Sequence, residues 1–171
     1  SLCRISLLYC CGVVLYVLCA VHYASQHNGS VTGGIIEFMD PKFRKKFHRK
    51  INHQAPESWE KSSTVLKVPC LPLSLIFKHI QIQHVNYFSL DVEGAELSVL
   101  ESINFDQVKF DIISVEIEKA FRPADHEFRV TRLLLGRGYV KIWCSGRNAW
   151  FRRKDFEIIS RESTTRLGGC E

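Results

Sequence analysis

Residues 87–118, YFSLDVEGAELSVLESINFDQVKFDIISVEIE, change hydrophobic period twice, and those two changes decide the fold. Val85 to Val92 (VNYFSLDV) is rich in β-branched and aromatic residues and reads as a strand. Glu93-Gly94 supplies the turn, and Ala95 to Ile103 then places Leu97, Leu100 and Ile103 at helical spacing. After Asn104-Phe105-Asp106 a second strand follows, Phe110 to Ile117, in which Ile112, Ile113, Val115 and Ile117 are apolar toward both faces. That is the pattern of a strand covered by helices on each side. The unit is long enough for a right-handed crossover between parallel strands.

Downstream the pattern repeats once and then changes. Asp125 to Gly136 reads as a helix with Asp125 as N-cap and Phe128, Thr131 or Arg132, and Leu135 along one side. Tyr139 to Cys144 and Ala149 to Arg153 flank Ser145-Gly146-Arg147-Asn148, which is hairpin chemistry. The predicted fold class is therefore α/β, a mostly parallel sheet closed by a C-terminal antiparallel hairpin. Upstream, Val65 to Val68 reads as a short strand, and residues 71–80 (LPLSLIFKHI) as a helix with Leu73, Ile76, Phe77 and Ile80 on one face.

The basic run PKFRKKFHRKIN, 41–52, sets Phe43 and Phe47 one helical turn apart with cations around them. Its six positive charges, Lys42, Arg44, Lys45, Lys46, Arg49 and Lys50, account for the net charge of +5, since the rest of the chain carries 17 cations against 18 anions. Such a run is either a solvated face or a surface for an anionic partner. No stacking platform accompanies it, so nucleic acid is not an expected partner.

Residues 7–24, LLYCCGVVLYVLCAVHYA, are the most apolar stretch, just long enough to span a bilayer. Over 14–22 they read as a buried strand of the parallel sheet, with a membrane segment as the alternative. A polar, glycine-rich loop, Ser25 to Gly34, follows and contains the sequon Asn28-Gly29-Ser30. The expected organisation is an apolar segment at 1–13, a domain over 14–156, and a tail from 157 to 171.

With 171 residues, 46% apolar and 24% charged, a single domain can bury a real core without metals or disulfides. The seven cysteines are an odd number without C-x-x-C spacing, so neither a zinc module nor a closed disulfide framework fits, and the thiols read as free. No G-x-S-x-G elbow, P-loop or H-E-x-x-H is present, which removes the serine-hydrolase, NTPase and zincin classes. No metal site is predicted.

Open α/β sheets bind ligands beyond the carboxyl ends of their strands. Asp91 and Glu93 lie at the end of the first predicted strand, Glu96 follows one turn into the helix, and Glu116 and Glu118 end the second strand. Carboxylates placed there can accept ribose or amino hydrogen bonds, take a proton, or hold a cation. Glu93 and Glu96 also suit a first helical turn on dipole grounds alone.

The pair SLDVEGAE and DIISVEIE, with GGIIEFMD (33–40), VPCLPLSLIF (68–77) and LLLGRGYVKIW (133–143), resembles the FkbM-type methyltransferase domain. Members of that family have a Rossmann-like sheet and use S-adenosylmethionine. The resemblance covers roughly residues 15 to 156. It implies methyl transfer to an oxygen or nitrogen acceptor, a small molecule or a glycan, with Asp91 and Glu93 as catalytic residues. By the same resemblance Asp91 and Glu116 bind the cofactor and Glu96 the acceptor. Such a domain carries a glycine-rich turn after its first strand and an acidic end to its second. Neither occurs here ahead of the matching segments, so those parts are expected upstream of Ser1, and the chain alone is expected not to hold the cofactor. The GGIIEFMD segment is similar to animal Star-like members. This implies an alternative: a non-catalytic, membrane-associated trafficking factor of the endoplasmic reticulum, Golgi or endosome. Residues 42–50 would then face protein cargo or a membrane surface.

Overall fold

The structure, a computed structural model, describes residues 4–6, 21–25, 34–49, 51, 56–63 and 65–157. Its main sheet is built around β5 (His84–Leu90) and β6 (Lys109–Glu116), parallel neighbours joined by helix α3 (Glu96–Glu101). This is the strand–helix–strand unit expected from 87–118. A short strand, β1 (Arg4–Ser6), extends the sheet in parallel on the free side of β5. On the other side β8 (Asn148–Arg153) and β7 (Tyr139–Ser145) form the antiparallel hairpin, so the order is β1-β5-β6-β8-β7. The partial Rossmann-like architecture predicted from sequence is the one observed.

The core lies between this sheet and its helices because β6 is apolar on both faces. Phe88, Phe110, Ile113, Val115 and Phe151 are fully buried, as are Val130 and Leu134 of α4 (His126–Gly136). Phe110 packs against Phe77, Phe88 and Phe105 with ring centroids 5.0–5.9 Å apart. Each such aromatic pair contributes about 0.5–1.5 kcal/mol beyond the area it buries. Phe77 comes from α2 (Leu73–His79), whose inward residues are Leu73 and Phe77, while Ile80 lies just past its end and is half exposed.

Three local expectations need correction. Val21 begins a strand, β2 (Val21–Ser25), but this pairs antiparallel with β3 (Gly34–Ile35) and β4 (Val65–Pro69) in a separate three-stranded sheet. β-branched composition identifies a strand without saying which sheet it joins; residues 7–20 and the sequon lie outside the described residues. In α4 the inward face is His126, Val130 and Leu134, a stripe four residues apart, and Phe128 stands 66% exposed. Asp125 occupies the N-cap position without a side-chain cap bond. Finally, Cys144 is disulfide-bonded, whereas Cys70 keeps a buried thiol. An odd cysteine count rules out a closed framework, not a single bridge. Among the described residues no helix is long and apolar enough to cross a membrane.

The small sheet has its own core of Ile36, Ile51, Trp59 and Val65. Between the two cores runs the segment 34–40, with Ile35 buried in the main one and Phe38 packed against it. That segment lies directly on the turn after β5.

Candidate functional site

Register places the first two acids. Leu90 pairs with Val115 across parallel strands, so the residues that follow, Asp91 and Glu116, stand side by side at the carboxyl edge. The chain then turns sharply: Glu93 adopts φ 51° and Gly94 φ 112°, both in the left-handed region. Glycine is required at 94 twice over, because a Cβ there would lie 2.3 Å from the carbonyl oxygen of Phe38. Glu93 is not glycine and holds this conformation under strain of the kind found at functional sites. The turn aims its carboxyl back toward Asp91 and Glu116. Oxygens of Asp91, Glu93 and Glu116 all lie within 4.8 Å of one another.

Glu96 opens α3 and is fully buried. Its Oε1 accepts from the backbone N–H groups of Val92 (3.3 Å) and Gly94 (3.2 Å), fastening the turn from within. The centre of the cluster is Arg122, which follows a 3-10 turn, Lys119–Phe121, beyond β6. It donates to Glu96 Oε1 at 2.9 Å and Glu116 Oε2 at 2.7 Å, and lies 3.7 Å from Glu93 Oε2. His126, at the start of α4, brings its Nε2 to 3.4 Å from Glu96 Oε2. Both Arg122 and His126 are buried, each only 6% exposed.

Three carboxylates thus share one guanidinium with Asp91 beside them, and the four proton affinities diverge accordingly. Burial pushes Glu116 up to about 8, with Asp91 adding to it and Arg122 opposing. Glu93 rises to about 7, again through burial and then the charge of Asp91. Partial desolvation also raises Asp91, against a hydrogen bond with Glu116. Glu96 goes the other way. Burial alone would raise it, but His126, Arg122 and backbone N–H groups hold it below the ordinary value. The site is therefore a Glu96–Arg122 ion pair, with Glu96 held toward its ionised form, beneath three carboxyls that favour a positively charged ligand. Asp91, Glu93 and Glu116 are the residues able to hold a cation, whether a metal ion or the charged end of a cofactor.

All four acids singled out in the sequence as site residues, Asp91, Glu93, Glu96 and Glu116, meet here. Glu118 does not join them; it pairs at 3.3 Å with Arg147 of the hairpin turn. Arg122 and His126 were not foreseen. The available signal was the charge imbalance itself, since buried acids at two adjacent strand ends require a cation from somewhere in the chain.

A mixed α/β sheet with acids gathered at the carboxyl edge of its parallel strands, closed by an antiparallel hairpin, defines the class as a partial Rossmann-like domain. The family model described as the methyltransferase FkbM domain matches residues 3–141, and the chain belongs to that family. No curated protein and no solved structure matches it significantly.

Proposed function

We propose that this domain takes part in methyl transfer from S-adenosylmethionine to an oxygen or nitrogen acceptor, with the carboxylate cluster at its working end. The observation that carries this reading is the excess of carboxylates over cations at the carboxyl edge of the sheet. S-adenosylmethionine bears a sulfonium and an ammonium, so its charge suits a donor set of Asp91, Glu93 and Glu116 around one guanidinium. The glycine-rich turn that the family resemblance implies is not among the described residues; the fit concerns the acidic side of the site.

When bound, the cofactor supplies an electrophilic methyl group. Asp91 stands exposed at the rim, where it can accept hydrogen bonds from cofactor hydroxyls or from the acceptor. Glu93, at about 7, is matched to neutral pH as the group that takes the acceptor proton. Glu116 lines the cofactor side, held by Arg122. Glu96 is fully buried with its oxygens turned to Arg122, His126 and the 92–94 backbone. On this geometry it acts as a positioning residue rather than touching the acceptor.

The test is calorimetric titration of S-adenosylmethionine into the protein with whatever sequence precedes Ser1. A cationic ligand displaces protons from Glu93 and Glu116, so affinity is expected to rise about tenfold or more between pH 6 and 8. Asp91→Asn is expected to weaken it. Absence of binding, or tighter binding at pH 6, overturns the proposal.

A further inference from the structure

Helix α1 (Pro41–Phe47) carries the basic run, and its placement is more specific than composition implied. Asp40 caps it by accepting from the Lys42 N–H at 2.7 Å, and Pro41 occupies the first turn. Its apolar side is spent on the protein: Phe43 is buried, and Phe43 and Phe47 pack edge-on against Phe121 at 5.4 and 5.9 Å. Lys42, Lys45, Lys46 and, just past the cap, Arg49 are all exposed. Lys42, Lys45 and Lys46 share one helical stripe about 6 Å long, and Arg49 adds its charge beyond the helix end. Among the described residues none of the four makes an ion pair. The stripe adjoins the site, because Lys46 Nζ lies 5.2 Å above the Phe121 ring and the next residue is Arg122.

We infer that this stripe is a docking surface for a soluble anionic saccharide chain, sulfated or uronic, which it presents to the neighbouring carboxylate cluster. The inference rests on the methyl-transfer reading in treating that chain as the acceptor. Charge complementarity sets the sign of the partner. Within 41–49 the phenylalanines pack on one another and on Phe121, so the helix offers no apolar face to enter a bilayer and no open ring on which a base could stack. A saccharide polyanion needs neither. A line of unpaired ammonium and guanidinium groups meets its regularly spaced charges directly.

The probe is a defined chondroitin-type sulfated oligosaccharide, titrated into the full chain at low and high salt, with phosphatidylserine vesicles and duplex DNA as competitors. The triple variant Lys42→Glu, Lys45→Glu, Arg49→Glu is expected to bind about 10- to 100-fold more weakly than wild type, a gap that narrows with salt. The control Arg129→Glu, Arg132→Glu, Lys154→Glu makes the same change in net charge at other exposed positions and is expected to bind as wild type does. Melting temperatures verify that both variants fold. Equal losses in the two variants, no binding by wild type, or a preference for vesicles or DNA each overturn the inference. S-adenosylmethionine uptake is read separately. In wild type, no uptake with saccharide binding intact counts against the methyl-transfer reading, and uptake without saccharide binding counts against the docking surface.

Discussion

Glu116→Gln removes one charge from the cluster without changing its shape, and its effect should depend on pH with a definite sign. Glu116 titrates near 8 in the folded chain against an ordinary value of 4.5, and its side chain is 8% exposed. The folded state therefore binds a proton that the unfolded state has released throughout the interval between those values. Stability drawn from this group is complete below the unfolded value and is lost as pH rises toward 8, at about 1.4 kcal/mol per pH unit. Across the whole interval the loss is about 5 kcal/mol. Glutamine stands in for the protonated acid, so the variant should match wild type within about 1–2 kcal/mol at pH 5.5 and exceed it by about 5 kcal/mol at pH 8.5. Urea unfolding followed through Trp143 and Trp150 fluorescence reads this as a midpoint higher by about 2 M at the alkaline pH alone. A variant destabilised equally at both pH values would refute the reasoning. It would mean that Glu116 is ionised at neutral pH and valued for its Arg122 bond.

Arg122→Met leaves the buried, ionised Glu96 without its cation and is expected to cost about 3–5 kcal/mol, with Arg122→Met/Glu96→Gln recovering part of it in the same urea assay. Gly94→Ala meets both the Phe38 carbonyl at 2.3 Å and an unfavourable φ, and should lower stability by about 3 kcal/mol or more in thermal melts. Tyr139→Phe strands the buried Phe110 N–H, which donates to the Tyr139 hydroxyl at 3.2 Å, and should cost about 1–3 kcal/mol. A Tyr139→Phe melt indistinguishable from wild type would mean that this donor finds another partner.

The crossover from β5 through α3 to β6 was legible because its hydrophobic period shifts from 2 to 3.6 and back within one short segment. The four acids were legible for the same reason: parallel register fixes which residues share the carboxyl edge once the strands are known. Arg122 and His126 were not, since nothing local marks an arginine after a 3-10 turn or a histidine opening a helix. Their roles arise from the return of the chain across α3. The face of α4 was misjudged because Phe128 and Leu135 are large and apolar, yet the stripe that meets the sheet belongs to Val130 and Leu134. The second sheet was hidden because β2, β3 and β4 are short and β2 pairs with β4 across a long separation in sequence.

Gly94 closes under the Phe38 carbonyl, and Gly34 in turn leaves room for the Glu93 Cβ, which would lie 3.1 Å from any side chain there. Two segments some sixty residues apart are thereby made into a lock and its keyway. Neither can drift alone: a bulkier residue in one has to be answered by a shift in the other, or the carboxyl of Glu93 leaves the cluster. Distant sequences that keep a glycine at both positions should keep the geometry of the acids as well, even where the acids have been exchanged for other residues. The two glycines are thus a better guide to shared site architecture than the charged residues the site displays.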